Sequence, residues 1–288
     1  MSKHRRLLDL SMSLRADLPQ PDPPRFKYTP HRAGGTWLGL GAAACGVKGS
    51  NWWSIAKEVL SELLTGRLVR SRDFPDGCGL AWEDISCDTH AGTHLDAPWH
   101  FGPYCDGRPA KTVDLIPLEW CYSEGVVLDL RHKPPGSYIT PEDLQEALRR
   151  INYTLKPLDI VLLMTGASAY HTEPRYLTDF PGVSREATLW LTGQGIKIIG
   201  IDAFCFDRPW PVMAAEYQRT GNPRVLWEAH LVGREVEYCH LENLANLDQI
   251  PQPYGFEVIC FPIKIERGSA GWARVVAVLP EGEETDAH

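Results

Sequence analysis

The chain has no run approaching the ~20 apolar residues that a membrane-spanning helix needs. Its basic opening, M-S-K-H-R-R, reaches Asp9 before an apolar stretch of signal-peptide length can develop. No membrane association is expected, and the cytoplasm is the expected compartment. An excess of positive charge is also missing. The 29 Lys and Arg against 37 Asp and Glu give a formal net charge of −8, so neither nucleic acid nor an anionic membrane is generally attracted. None of the eight cysteines (45, 78, 87, 105, 121, 205, 239 and 260) forms a C-x-x-C pair. A chain of 288 residues can bury a sizeable core without disulfide staples, so reduced, mostly buried thiols are expected. Internal repeats, heptads and a phosphate-cradling glycine loop are absent too. What remains, with 43% hydrophobic and 23% charged residues, is the composition of a globular protein of one large or two small domains.

Against that background one stretch is unusually dense in chemistry. Cys87 to Phe101 reads C-D-T-H-A-G-T-H-L-D-A-P-W-H-F and holds His90, His94, Asp96 and His100. Imidazole and carboxylate are the donors that suit zinc, manganese or iron. Gly92 and Pro98 suit neither a helix interior nor a central strand. In an extended chain residues four apart lie roughly 13 Å from each other, so His90 and His94 can share an ion only if the chain turns at Gly92. His94 and Asp96, two apart, can point to one side of an extended segment. The alternative is a polar loop whose histidines satisfy local hydrogen bonds, and the density of the spacing argues against it.

The pattern H-x-G-T-H-x-D-x-P-x-H, filled by His90, Gly92, Thr93, His94, Asp96, Pro98 and His100, resembles the signature of the cyclase / kynurenine formamidase-like metal hydrolases. That family includes arylformamidases, isatin hydrolases and polyketide cyclase-like proteins. The resemblance extends over roughly residues 7–280, through a D-L-S opening and the blocks D-I-V-L-L-M-T-G, F-P-G-V-S and G-I-D-A in the same order. It implies a single α/β domain over 1–288 with the swivelling β/β/α fold, with insertions at about 31–80 and 208–227. It implies further that His90, His94 and Asp96 hold one divalent ion and Asp96, His230 and Glu242 a second, with His100 as proton shuttle. By residue pattern alone His230 in W-E-A-H-L-V-G and Glu242 in C-H-L-E-N-L would mean little, and His240 competes with His230 for the role. Here His230 is preferred. The family also implies a homo-oligomer, often a dimer.

The rest of the chain reads as strands alternating with helices, the pattern of an α/β domain. Leu7–Ser11 opens with a strand, followed by a proline-rich connector from Pro19 to Pro30. The glycine-rich and alanine-rich residues 31–50 read as a flexible loop or substrate flap, and Ile55–Thr65 as an amphipathic helix preceded by Trp52 and Trp53. Those two tryptophans and Trp99 are candidate walls for a flat aromatic substrate, ordinary packing being the other use of such residues. Further strands are expected at Gly125–Leu130, Asp159–Met164, Ile196–Asp202, Phe256–Ile265 and Ala273–Leu279, with a turn at Arg267–Gly271. Helices are expected after the Thr140 cap with Pro141 in its first turn, and near Ser184–Thr192. Arg208–Arg224 reads as an insertion or lid, and Glu281–His288 as a frayed tail.

A Zn2+ or Mn2+ ion, one or two per chain, would lower the pKa of bound water from about 15.7 towards about 7 and polarise a carbonyl. The expected function is hydrolysis of a C–N bond in an amide, formamide or lactam of a small aromatic molecule. A polyketide or natural-product cyclase would use the same site to stabilise an enolate. A non-catalytic metal-binding protein is the third reading, and the presence of every expected ligand together with His100 argues against it.

Overall fold

Strands that read as continuous apolar runs take the centre of a nine-stranded sheet in the computed structural model, which describes residues 5–45 and 51–280. Ile160–Met164 and Ile198–Ile201 are buried at every position, as strands covered on both faces should be. Along the sheet the order is Arg6–Asp9, Val276–Leu279, Phe256–Ile259, Tyr122–Asp129, Ile160–Met164, Ile198–Ile201, Cys239–Glu242, His94–Asp96 and Ala270–Trp272. The four strands from Tyr122–Asp129 to Cys239–Glu242 run parallel, and those flanking them pair antiparallel. Parallel neighbours need a crossover, and the helices Pro141–Arg150 and Arg185–Gly193 supply the first two.

These helices begin where their capping residues place them. Thr140 accepts a hydrogen bond from the Asp143 backbone N–H while the Asp143 carboxylate accepts one from the Thr140 N–H, a reciprocal cap with Pro141 in the first turn. The Ser184 hydroxyl accepts from the Ala187 N–H, a cap without the reciprocal bond. Alternation along the strands divides the core between two faces of the sheet. Val126, Leu128, Val161, Leu163, Ile199 and Ile201 pack with helix residues Leu144, Leu148, Ala187 and Leu191. Leu95, Val127, Ile160, Leu162, Ile198 and Leu241 pack on the opposite side with Leu8, Val258 and Ala277.

The chain gathers into two compact units, one made of the segments up to Pro24 and from Cys87 onward, the other of Arg25–Ser86. In the second, Arg25–Thr29 pairs antiparallel with Trp82–Ser86, so the expected proline-rich connector ends in a strand. The expected flexible loop is a helix, His31–Cys45, within which Gly34, Gly35, Gly39 and Ala43 are buried. Its glycines are packing surfaces rather than hinges. A Cβ on Gly34 would lie 1.7 Å from the Leu80 carbonyl oxygen, and one on Gly39 would lie 1.8 Å from that of Val69. The following helix runs Trp52–Leu64, with Asn51 as its cap, so Trp52 and Trp53 are its first residues and do not precede it. Gly46, Gly49 and the Glu281–His288 tail fall outside the described residues.

Other boundaries differ from the sequence reading. The expected lid contains the helix Trp210–Thr220, which starts at Pro211 in its first turn and is closed by Gly221 at φ 65. Ala270–Trp272 is a strand beside His94–Asp96, not the end of a turn, and the strand expected over Phe256–Ile265 stops at Ile259. Among the described residues no helix is long and apolar enough to cross a membrane. All eight cysteines carry free thiols, of which Cys105, Cys121, Cys239 and Cys260 are buried.

The glycine contacts predict opposite outcomes within one helix. Gly39→Ala should cost about 1–3 kcal/mol by overpacking against Val69. Gly41→Ala has nothing within 4 Å of its new Cβ and should gain about 0.5–1 kcal/mol. Hydrogen exchange of the 31–45 amides reads both; equal effects of the two substitutions would contradict close packing at Gly39.

Candidate metal centre

The register of two short strands builds most of the site. His94–Asp96 pairs antiparallel with Cys239–Glu242, setting His240 opposite Asp96 and Glu242 opposite His94. Because side chains alternate along a strand, the central residues Leu95 and Leu241 enter the apolar core and the four polar residues share the other face. Local geometry then brings in His90. The turn considered at Gly92 is present and left-handed, at φ 65, and the His90 and His94 rings come to 5.1 Å. Thr93 fixes that turn by donating to the Asn243 carbonyl at 2.5 Å and accepting from the Met12 N–H at 2.8 Å. Pro98 biases Ala97 towards extended backbone, observed at φ −88 and ψ 158, and starts the short helix Pro98–Phe101 that carries Trp99 and His100.

Asp96 lies at the centre, and its two oxygens face different partners. Oδ1 lies 2.7 Å from His90 Nδ1 and 3.3 Å from His94 Nε2. Oδ2 lies 2.9 Å from His240 Nε2, 3.8 Å from His100 Nε2 and 3.9 Å from His230 Nε2. Glu242 Oε1 is 3.3 Å from His240 Nε2 and 3.6 Å from His230 Nε2. These approaches are short but poorly aligned, and the His94 Nε2, both Asp96 oxygens and both His240 nitrogens have no hydrogen-bond partner although they are buried. Stranded groups of this kind cost about 1–3 kcal/mol each, more when charged. A cation held between them removes that cost. Two sets of donor atoms lie close enough to hold one: His90, His94 and Asp96, and Asp96, His230, His240 and Glu242. The residues therefore fit a divalent metal.

Outer contacts aim the rings. His94 Nδ1 lies 2.8 Å from the Gly92 carbonyl, which accepts its N–H and leaves the Nε2 lone pair directed inward. His230 Nδ1 lies 2.6 Å from Asp207 Oδ2, and Asp207 also accepts the backbone N–H groups of Ala229 and His230 at 2.9 and 3.0 Å. That carboxylate, 1% exposed, both caps the Glu228–Leu231 helix and orients its histidine. Electrostatics reflect the crowding of two carboxylates. Burial lowers His240 but Asp96 and Glu242 outweigh it, pushing the imidazole up to about 9. Burial raises Asp96, yet the surrounding histidines hold it well below the carboxylate range. His100 is brought down to about 4 by burial, which outweighs the attraction of Asp96.

The structure thus gathers His90, His94, Asp96, His230, Glu242 and His100 into one cluster. It also places His240, the less favoured competitor, at its centre beside His230. The signal for His240 is a repeat: His240-Leu241-Glu242 has the same polar-apolar-polar alternation as His94-Leu95-Asp96. No comparable signal marks Asp207, 23 residues from its histidine. Trp99 is 43% exposed beside His100, whereas Trp52 and Trp53 stack on each other at 3.8 Å in the second unit.

A family model described as "Putative cyclase" matches residues 8–208. The chain is 29% identical over 192 residues to the kynurenine formamidase of Erythrobacter litoralis, spanning 67% of this chain and 74% of that one. It is 24% identical over 218 residues to the isatin hydrolase of Roseibium aggregatum, spanning 72% and 78%. Among solved structures, isatin hydrolase A from Ralstonia solanacearum aligns with a TM-score of 0.68 at 23% identity over 96% of this chain and 92% of the other. An isatin hydrolase bound to thioisatinate aligns at 0.67 and 19% over 96% and 93%. The α/β fold expected from the sequence is the one these structures share.

The hydrogen bond from His230 to Asp207 predicts that Asp207→Asn weakens metal binding about 10–100-fold while the fold persists. Competition with a chelator of known affinity measures this. Unchanged affinity would show that His230 needs no orienting partner.

Proposed function

The chain belongs to the cyclase family, and from that membership and the geometry of the cluster we propose that it is a metal-dependent hydrolase cleaving a C–N bond, in an amide, formamide or lactam, of a small aromatic molecule. The observation that carries this reading is the buried Asp96 carboxylate, with no hydrogen-bond partner, set among imidazole nitrogens of His90, His94, His230 and His240. In this reading His90, His94 and Asp96 would hold one ion, and Asp96, His230 and Glu242 a second. The all-nitrogen and oxygen donor set suits Zn2+ or Mn2+. Bound there, such an ion polarises a carbonyl and lowers the pKa of water from about 15.7 towards about 7.

The protein's own part is positioning and proton transfer. His100 sits on the open side of the cluster, its side chain 33% exposed and its Nε2 3.8 Å from Asp96 Oδ2. Its lowered pKa leaves it neutral at pH 7, able to take a proton from the attacking water and return it to the leaving nitrogen. Trp99, adjacent and exposed, offers a flat apolar surface to an aromatic substrate. The relatives named for kynurenine formamidase and isatin hydrolase support an aromatic substrate of this type. The same reading places the protein in the cytoplasm, where its eight free thiols stay reduced, and as a homo-oligomer.

Oxygen-18 water tests the reaction. Label in a product carboxylate supports hydrolysis. An unlabelled product that has lost water and gained a carbon–carbon bond would instead make the protein a cyclase working from the same residues. His100→Ala should keep its metal and its melting temperature while turnover falls about 10²–10⁴-fold. His94→Ala should lose metal and turnover together. A metal-free His100→Ala variant would make His100 a ligand and overturn this division of roles.

A further inference from the structure

The proposed two-ion arrangement gives His240 no task, yet with His94 it is one of the two fully buried imidazoles of the cluster. It is 0% exposed, stacks on Phe206 at 4.5 Å with 13° between the planes, and has Phe101 at 5.1 Å. Neither ring nitrogen has a hydrogen-bond partner, although Nε2 approaches Asp96 Oδ2 to 2.9 Å and Glu242 Oε1 to 3.3 Å. Short separations without alignment are what atoms show when they converge on a shared point and do not bond each other. As a ligand, His240 would strand one N–H; as a free imidazolium it would strand two.

The spacing of the four donors tests the idea. With bonds of 2.0–2.2 Å, a tetrahedral zinc ion spaces its ligand atoms by about 3.3–3.6 Å. Four of the six separations among Asp96 Oδ2, His230 Nε2, His240 Nε2 and Glu242 Oε1 are 2.9, 3.3, 3.6 and 3.9 Å, bracketing that value, and one donor atom from each residue lies within 4.8 Å of the others. All four residues are buried. The other set has only three members, His90, His94 and Asp96, and His90 is 23% exposed at its side chain. Four protein ligands in a closed environment mark a structural zinc centre, and three with an open position mark a reactive one.

We propose that His240 is a fourth protein ligand, closing the centre formed with Asp96, His230 and Glu242, so that this ion is structural and the ion at His90, His94 and Asp96 is the one that meets substrate. Asp96 then couples a permanently held ion to an exchangeable one. The inference rests on the metal-site reading above, and its test separates the two.

Protein reconstituted with Zn2+ alone is assayed for total metal by mass spectrometry and for release into excess chromogenic chelator, under conditions where the fold persists. Two ions per chain are expected, one released fast and one slowly. His240→Gln should speed the slow phase by at least the 10–100-fold that loss of an outer-shell partner costs, leaving the fast ion in place. An unchanged slow phase in His240→Gln, a single release rate in the wild type, or only one ion per chain would overturn the inference while leaving the metal site intact. No bound zinc in the wild type would overturn the metal reading itself. Should His240→Gln fail to fold, Co2+ substitution of the wild-type protein decides. The slowly released equivalent should show the intense visible absorption of tetrahedral cobalt, and only weak bands of higher coordination would overturn the closed centre.

Discussion

Two carboxylates buried side by side repel each other and are stripped of water, and the cluster around Asp96 and Glu242 exists only because positive charge is brought to them. In the protein alone that charge comes from protons, which is why His240 is pushed up to about 9 despite its burial. A divalent ion supplies it more completely, since ligand binding requires the imidazole lone pairs that the protons occupy. Every structural feature near the site serves the same end. The antiparallel pairing of His94–Asp96 with Cys239–Glu242 gives rigid backbone, the left-handed turn at Gly92 folds His90 back over His94, and Asp207 holds His230 in the orientation that faces its Nε2 inward. A site carried on strands in this way keeps its donors within the small tolerance that metal coordination demands.

The division between the two faces of the sheet makes this possible. Leu95 and Leu241 anchor their strands in the apolar core, so the flanking polar residues cannot rotate away without exposing those leucines. A shift of one residue in register would exchange the faces and destroy site and core together. Packing and chemistry are thereby coupled through two tripeptides of the same design, His94-Leu95-Asp96 and His240-Leu241-Glu242.

Much of this was legible in the sequence, because the relevant signals are local. The H-x-G-T-H-x-D-x-P-x-H spacing contains its own turn, its own strand and its own helix start, and the Thr140 cap announces its helix within four residues. The apolar runs of the central strands are likewise self-evident. What escaped depends on distant partners. Glycines at 34 and 39 signify flexibility when alone, but here they admit the backbone at Leu80 and Val69, contacts that no window around residue 35 contains. Ala270–Trp272 has too little side chain to read as a strand until His94–Asp96 lies beside it. The prolines and mixed polarity of Arg208–Arg224 conceal a helix whose first turn tolerates Pro211. His240 ranks below His230 in the sequence because the family resemblance expects a histidine at the distance of His230 from Glu242, whereas the fold brings both to Asp96.

The central claim is that this imidazole and carboxylate cluster binds the metal, against the competing possibility that some of the eight free thiols do. X-ray absorption at the zinc edge of the metal-loaded protein decides this directly. The account predicts a first shell of nitrogen and oxygen alone at about 2.0–2.2 Å, with the outer-shell scattering that imidazole rings produce. A sulfur scatterer at about 2.3 Å would contradict it and move the metal away from Asp96.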